Sequence, residues 1–144
     1  VFLRLLDESD SKNILDLWHK CLENDTYLSA WSDASLESYV QMGNCFALFD
    51  GSEILGAIFF RSGIEEVEID QFIVNPEQRK KGYGQSLLKA FCEHFSDFKV
   101  LLEVAGENYP AMSLYKKCGF QEFSVRKNYY SSGQDAHCFH WIKK

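Results

Sequence analysis

The sequence predicts an α/β domain built on a mixed, mostly antiparallel central sheet of about seven strands, flanked by about four helices. Three observations point to it. Two apolar runs, Cys45 to Phe49 and Ile54 to Arg61, meet at Asp50-Gly51, a strong hairpin signal, and Glu65 to Val74 extends them into a meander. The stretch from Asp70 to Ser86 then passes from a buried strand through a basic, glycine-bearing turn into a helix. Another strand follows at Lys99 to Val104, completing a right-handed strand-helix-strand unit. A second hairpin joins Phe120 to Asn128 with Ala136 to Ile142 around Ser131-Ser132-Gly133.

Taken in order, Phe2 to Leu5 reads as a short first strand. Asp10 is placed to cap a helix whose Ile14, Leu15, Trp18, Cys21 and Leu22 share one face. A loop from Glu23 to Ala30 follows, and Trp31-Ser32-Asp33 leads into a second helix with Leu36, Tyr39 and Val40 inward. In the third meander strand, the alternation of Val67 and Ile69 gives way to a continuous run from Phe72 to Val74, which predicts a bulge near Gln71. The helix after the basic turn places Leu87, Leu88, Phe91, Cys92 and Phe95 on one face. Asn108-Tyr109-Pro110 opens the last helix with proline in its first turn. Ala111, Leu114, Tyr115 and Cys118 lie on one side of it, and Gly119 is its stop.

A chain of 144 residues is expected to form one domain, residues 1–144, with a single core. No apolar run approaches the ~20 residues of a membrane span. Val1 to Leu5 carries an arginine and leads directly to Asp7, Glu8 and Asp10, unlike a signal peptide, so a cytoplasmic location is expected. The five cysteines form an odd set without a C-x-x-C pair and read as free core thiols. The four histidines show no ligand spacing, so no metal is implied. A formal net charge of −6 disfavours a nucleic-acid partner, and the basic turn at 79–81 is a local exception to that field.

That turn is suited to phosphate. Gly82 and Gly84 permit positive φ or close backbone approach, the amides entering the next helix point outward, and Arg79, Lys80 and Lys81 add charge. A nucleoside-triphosphate loop requires a lysine after the second glycine, which is missing here. A dinucleotide fingerprint requires a third glycine where Leu87 stands. The remaining pattern, Arg79-x-x-Gly82-x-Gly84 after a strand ending in Val74, resembles the pyrophosphate loop of the GCN5-related N-acetyltransferases. The second half extends the likeness. Leu102-Glu103-Val104, Asn108 and Ala111-x-x-Leu114-Tyr115-x-x-x-Gly119-Phe120 resemble the superfamily's second signature segment. Arg126-x-Asn128-Tyr129-Tyr130, with Gly133 and Asp135-Ala136, resembles the carboxyl-terminal hairpin of the ribosomal-protein-alanine N-acetyltransferases of the RimI type. Trp31-Ser32 also falls where that family has a similar pair. Arg79 stands where glutamine is more usual, and His137 to Trp141 is more aromatic and histidine-rich than the family pattern.

The resemblance implies acetyl-CoA as co-substrate. The backbone of Phe72, Ile73 and Val74 would pair with its pantetheine, and Arg79, Lys80, Lys81, Gly82, Tyr83, Gly84 and Gln85 would take its pyrophosphate. Asn108 would add a hydrogen bond. It also implies Glu103 as general base and Tyr115 as general acid, with an N-terminal alanine of a small ribosomal subunit protein as acceptor. Read alone, Glu103 is equally a solvated strand-edge carboxylate, Tyr115 a core tyrosine and Asn108 a local cap. The chemistry suits an α-amine, whose pKa of ~7.7–8.0 against ~10.4 for lysine asks little of a base. Direct attack on a thioester requires no cysteine nucleophile. Trp31, Tyr129 and Tyr130 are the expected acceptor contacts, the two tyrosines walling a narrow slot. Two alternatives stand beside this reading: a small-amine acetyltransferase, with Glu65, Glu66 and Glu68 lining its pocket, and a non-catalytic acyl-CoA sensor.

Overall fold

The computed structural model describes residues 1–25 and 27–144, so Thr26, within the expected Glu23 to Ala30 loop, lies outside the described residues. In chain order the elements are β1 (Phe2–Leu5), α1 (Ser11–Asn24), α2 (Asp33–Gln41), β2 (Cys45–Asp50), β3 (Glu53–Ser62) and β4 (Glu66–Val74). They continue with α3 (Tyr83–His94), β5 (Lys99–Ala105), α4 (Tyr109–Lys117), β6 (Gln121–Arg126) and β7 (Ala136–Trp141). The strands form one seven-stranded sheet in the order β1-β2-β3-β4-β5-β7-β6. Every pairing is antiparallel except β4 with β5, the pair joined through α3. This is the expected mixed sheet.

The β4–β5 pairing fixes where a ligand can enter. β4 pairs with β3 from Val67 to Val74, but with β5 only through Glu66, Glu68 and the residue between them. Beyond Glu68 and Leu101 the two strands part. The cause is a bulge on β4: Phe59 faces Gln71 and Phe60 faces Ile69, so Asp70 is the extra residue that bends the strand. The shift expected near Gln71 therefore falls one residue earlier.

Period-two alternation sends strand side chains to two apolar layers. On one side Phe46, Leu48, Ile58, Phe60, Val67 and Leu102 meet α3 and α4 through Leu87, Leu88, Phe91, Met112 and Tyr115. On the other, Cys45, Ala47, Phe49, Ala57, Phe59 and Ile73 meet α1 and α2 through Ile14, Leu17, Trp18, Leu36 and Val40. The single core expected from length is thus two layers separated by the sheet. Cys21, Cys45 and Cys92 are buried within these layers, Cys138 is buried on β7 opposite Glu103, and Cys118 is half-buried.

Three local expectations change. Asp10 precedes α1 but makes no side-chain cap. Its buried carboxylate accepts two bonds from Arg4, at 2.9 and 2.8 Å, and one from the Asp7 amide. A buried carboxylate takes the partners that satisfy it most fully, and the Arg4 hydrogen bonds hold it below the usual carboxylate range. Capping moves upstream to Asp7, which closes a reciprocal capping box on the short 3₁₀ turn Glu8–Asp10. Leu17 and Met112 are buried although the periodic reading left them out, whereas Leu15 and Leu22 only pack against the margin. Phe95 lies just past α3 as its C-cap and is half-buried.

Helix α3 sits close to the sheet because Gly56 has no side chain. A Cβ at that position would lie 2.8 Å from the Ile73 carbonyl oxygen and 3.2 Å from Leu87 Cδ2. Gly56→Ala is therefore expected to cost about 1–3 kcal/mol as strand and helix are forced apart. Thermal or denaturant unfolding reads the loss, and an unchanged midpoint would show that the backbone relaxes freely.

Candidate active site

Where β4 and β5 part, a cleft of about 980 Å³ opens. Glu68 to Phe72 of β4 form one wall and Leu102 to Ala105 of β5 the other. Asn108, Ala111 and Tyr115 of α4 close one end. Trp31 and the segment at Tyr27–Ser29 cover another side, and Arg126, Tyr129 and Tyr130 come from the β6–β7 hairpin. The expected pair Glu103 and Tyr115, the three expected acceptor contacts, Phe72 and Asn108 thus share one cavity.

Glu103 faces Cys138 of β7 in register, and its Oε1 lies 2.9 Å from Nη1 of Arg126. Tyr115 is buried, with its ring edge-on to Phe72 at 6.2 Å and tilted against Phe120 and Phe139. Burial pushes its phenol far above the usual tyrosine range, so it stays protonated at physiological pH. Tyr130 is pushed up to about 12, chiefly by burial and then by the charge of Glu103. Tyr129 is half exposed and meets Tyr130 edge-to-face at 5.3 Å. Alternation along an extended strand would send adjacent tyrosines to opposite faces. Here β6 has ended, Asn128 has a positive φ of 50°, and both rings reach the cleft.

On the β4 wall, Arg61 clasps Asp70, Nε to Oδ2 at 2.6 Å and Nη2 to Oδ1 at 2.9 Å, and reaches Glu68 at 3.1 Å. Tyr39 donates to Asp70 at 2.7 Å, and burial first, then that bond, raises its phenol to about 12. Trp31 lies on Tyr39, with ring centroids 4.9 Å apart. Burial raises the Glu68 carboxyl above its ordinary value. The cleft is lined by four carboxylates (Asp25, Glu68, Asp70, Glu103) against two guanidiniums (Arg61, Arg126), an excess of negative charge that favours a cationic guest. Glu65 and Glu66 do not line it, because they lie at the closed end of β4, where Glu66 faces Lys99. His137, bonded to Glu122, and His140, stacked on Phe123, also lie outside it.

The basic turn lies past the C-terminal end of β4, separated from it by a 3₁₀ turn at Pro76–Gln78 that the sequence reading did not include. Buried Asn75 sets the exit: its Oδ1 accepts the Glu77 amide at 3.1 Å and its Nδ2 donates to the Ile54 carbonyl at 3.4 Å. Lys80 and Gly82 have positive φ, 65° and 81°. Gly82 is the N-cap of α3 and no side chain caps that end, so the first amides of the helix face outward. Lys81 folds back to Gln78 at 3.0 Å, while Arg79 and Lys80 are exposed. Gly84 serves packing: a Cβ there would sit 3.3 Å from Val74 Cγ2 and 3.7 Å from Leu114 Cδ2. Ile73 points its side chain into the α1 layer, and Asn108 caps α4 by accepting the Ala111 amide at 3.4 Å. An open β4 edge leading to an uncapped helix N-terminus beside exposed cations fits an extended ligand with a terminal pyrophosphate.

Arg61, Asp70 and Arg126 were not among the residues expected to build the site. The meander places Arg61 opposite Glu68, a pairing of opposite charges that was the available signal for Arg61, whereas Asp70 meets Arg61 only because the bulge leaves it out of the register. Arg126 required knowing that β7 lies between β5 and β6.

This fold and cleft go with membership of one family: residues 12–120 match the family model described as "Acetyltransferase (GNAT) family", and the chain belongs to that family. Among particular relatives, it is 35% identical over 77 residues to the putative [ribosomal protein bS18]-alanine N-acetyltransferase of Bacillus subtilis, covering 51% of each chain. The chain spans about half the length, or less, of the first curated relatives it matches. The solved ribosomal-protein-S18-alanine N-acetyltransferase of Escherichia coli superposes with a TM-score of 0.85 at 22% identity, covering 99% of this chain and 94% of that one. A Vibrio cholerae spermidine N-acetyltransferase, solved in complex with CoA and spermine, superposes at 0.80 with 22% identity, covering 99% and 95%. The two structural likenesses speak for the fold alone. No helix among the described residues is long and apolar enough to cross a membrane.

Proposed function

We propose that the chain transfers the acetyl group of acetyl-CoA to the α-amino group of a protein N-terminus, with an N-terminal alanine of a ribosomal protein as the first candidate. The observation that carries this reading is the meeting of Glu103 and buried Tyr115 in one cleft, at the point where β4 loses its second neighbour. Acetyl-CoA supplies an activated thioester carbonyl. The open backbone edge at Phe72–Val74 would hold its pantetheine arm as a further strand, and the Arg79–Gln85 turn its pyrophosphate. Asn108 can keep its capping bond while its amide nitrogen serves the same ligand.

The acceptor enters as an ammonium, drawn by the excess of carboxylates, and must lose a proton before its nitrogen can form the new C–N bond. Glu103 takes that proton, directly or through one water. As the C–S bond breaks, the nitrogen of the tetrahedral adduct sheds its second proton to the departing thiolate, and Tyr115 donates a hydrogen bond to that sulfur. A thiolate of pKa ~8.5 is a weaker base than this phenolate, so the bond itself, rather than ionisation of the phenol, carries most of the stabilisation. Trp31, Tyr129 and Tyr130 wall the acceptor's path with rings suited to an extended peptide.

The small-amine reading keeps one support, the carboxylate excess. Of its three expected glutamates only Glu68 lines the cleft, and Arg61 already pairs with it. A rate comparison separates the two: peptides beginning with each amino acid, against spermidine and free lysine, at fixed acetyl-CoA. An alanine-initiated peptide is expected to give the highest kcat/KM. Faster turnover of spermidine would replace this assignment with the small-amine one.

The cofactor half has its own check. An alanine at Gly82 would meet no neighbouring atom, but the left-handed backbone there costs a Cβ about 1–2 kcal/mol. Gly82→Ala should therefore displace the turn and weaken acetyl-CoA binding roughly tenfold while the melting point moves little. Unchanged affinity by calorimetry would remove the turn from the binding site.

A further inference from the structure

We infer that Arg126 is a positioning residue: it holds the carboxylate of Glu103 in the cleft from two strands away, and the β6–β7 turn is built to present it. The inference rests on Glu103 being the base. Glu103 faces Cys138 on β7, and Arg126 faces Ala136 on the other edge of the same strand. Cys138 and Ala136 are two residues apart, so all four side chains rise from one face of the sheet. Adjacent strands lie ~4.8 Å apart, so an ion pair from β5 to β6 spans ~10 Å of sheet. Only a long side chain bridges that distance, and only over short ones. Ala136 and Cys138 supply the low ground, both buried beneath the bridge.

The guanidinium is supported on its far side as well. Its Cζ lies 5.3 Å from the Tyr129 ring centroid, in cation–π range. Tyr129 reaches that place because the chain reverses at Asn128, whose amide donates to Asp135 Oδ1 at 3.0 Å, while Lys127 pairs with Asp135 at 3.2 Å. Asp135 also accepts the Gly106 amide through its own carbonyl at 2.9 Å, which ties the turn to the end of β5 two residues beyond Val104. Glu103, Arg126 and the turn are thereby mechanically joined. The ion pair uses Oε1 of Glu103, and Oε2 is the oxygen left for the acceptor's proton. A carboxylate without this tether would sample several rotamers of a three-torsion side chain, and fewer of its conformers would meet the incoming amine.

A double-mutant cycle with an alanine-initiated peptide and acetyl-CoA tests this. Arg126→Gln should lower kcat roughly tenfold, with acetyl-CoA affinity by calorimetry unchanged, and Arg126→Lys should recover part of the loss. In a Glu103→Gln background the same Arg126→Gln change should have almost no further effect, because the group it positions is gone. An equal loss in both backgrounds, a parallel loss of acetyl-CoA affinity, or a wild-type kcat for Arg126→Gln would each overturn the positioning role. If Glu103→Gln alone runs at the wild-type rate, the base assignment falls and this inference falls with it. A slow Glu103→Gln beside a fast Arg126→Gln defeats the inference only.

Discussion

Glu103→Gln is expected to lower kcat for an alanine-initiated peptide by roughly 10²–10⁴-fold, the usual span for losing a general base. The side chain keeps its shape and its place over β7, so acetyl-CoA affinity should stay near the wild-type value. The loss should also depend on pH in a defined direction. Below the amine's own pKa of ~7.7–8.0 most acceptor arrives protonated and needs Glu103. Well above it, the amine arrives already neutral and the deficit shrinks. Initial rates from pH 6 to 9.5 give the test, and a deficit that grows with rising pH would exclude Glu103 as proton acceptor.

Tyr115→Phe should reduce kcat roughly 10²-fold with little change in either KM or fold stability. The packing argument is direct. Phenylalanine retains the ring that meets Phe72, Phe120 and Phe139, and loses only the oxygen. That hydroxyl is protonated across the working range because burial disfavours its anion, so the variant isolates the hydrogen bond to the departing sulfur. Single-turnover measurements place the loss on the transfer step. A wild-type single-turnover rate would leave Tyr115 as a core residue and no more.

Local signals in the sequence were enough for most of the frame. Asp50-Gly51 names its hairpin because a positive φ at Gly51, 59° here, is what a tight turn requires. The bulge on β4 was legible because an extra residue must break alternation, and the break after Ile69 is visible. Asn108-Tyr109-Pro110 and Gly119 bracket α4 for equally local reasons. Asp10 was misread because its partner, Arg4, is reached only after β1 and the 3₁₀ turn fold against each other. Local spacing alone therefore favours the cap. The cleft divides along the same line. Glu103, Tyr115 and the aromatic walls sit in recognisable segments, whereas the Arg126–Glu103 and Arg61–Asp70 pairs depend on strand order and on a bend in β4.

That bend sets a trade-off between durability and use. Each rung that β4 and β5 decline to form leaves backbone groups to water that a longer ladder would have bonded, at a net cost of about 1 kcal/mol each. Deleting Asp70 would restore the alternation of β4 against β3 and remove the strand's reason to diverge. A chain selected only for thermal endurance would drift that way, closing the seam and gaining rungs. Keeping Asp70, clasped by Arg61 and Tyr39, holds the seam open, so the residues that make this sheet less than maximally stable are also those that give it an interior to work in.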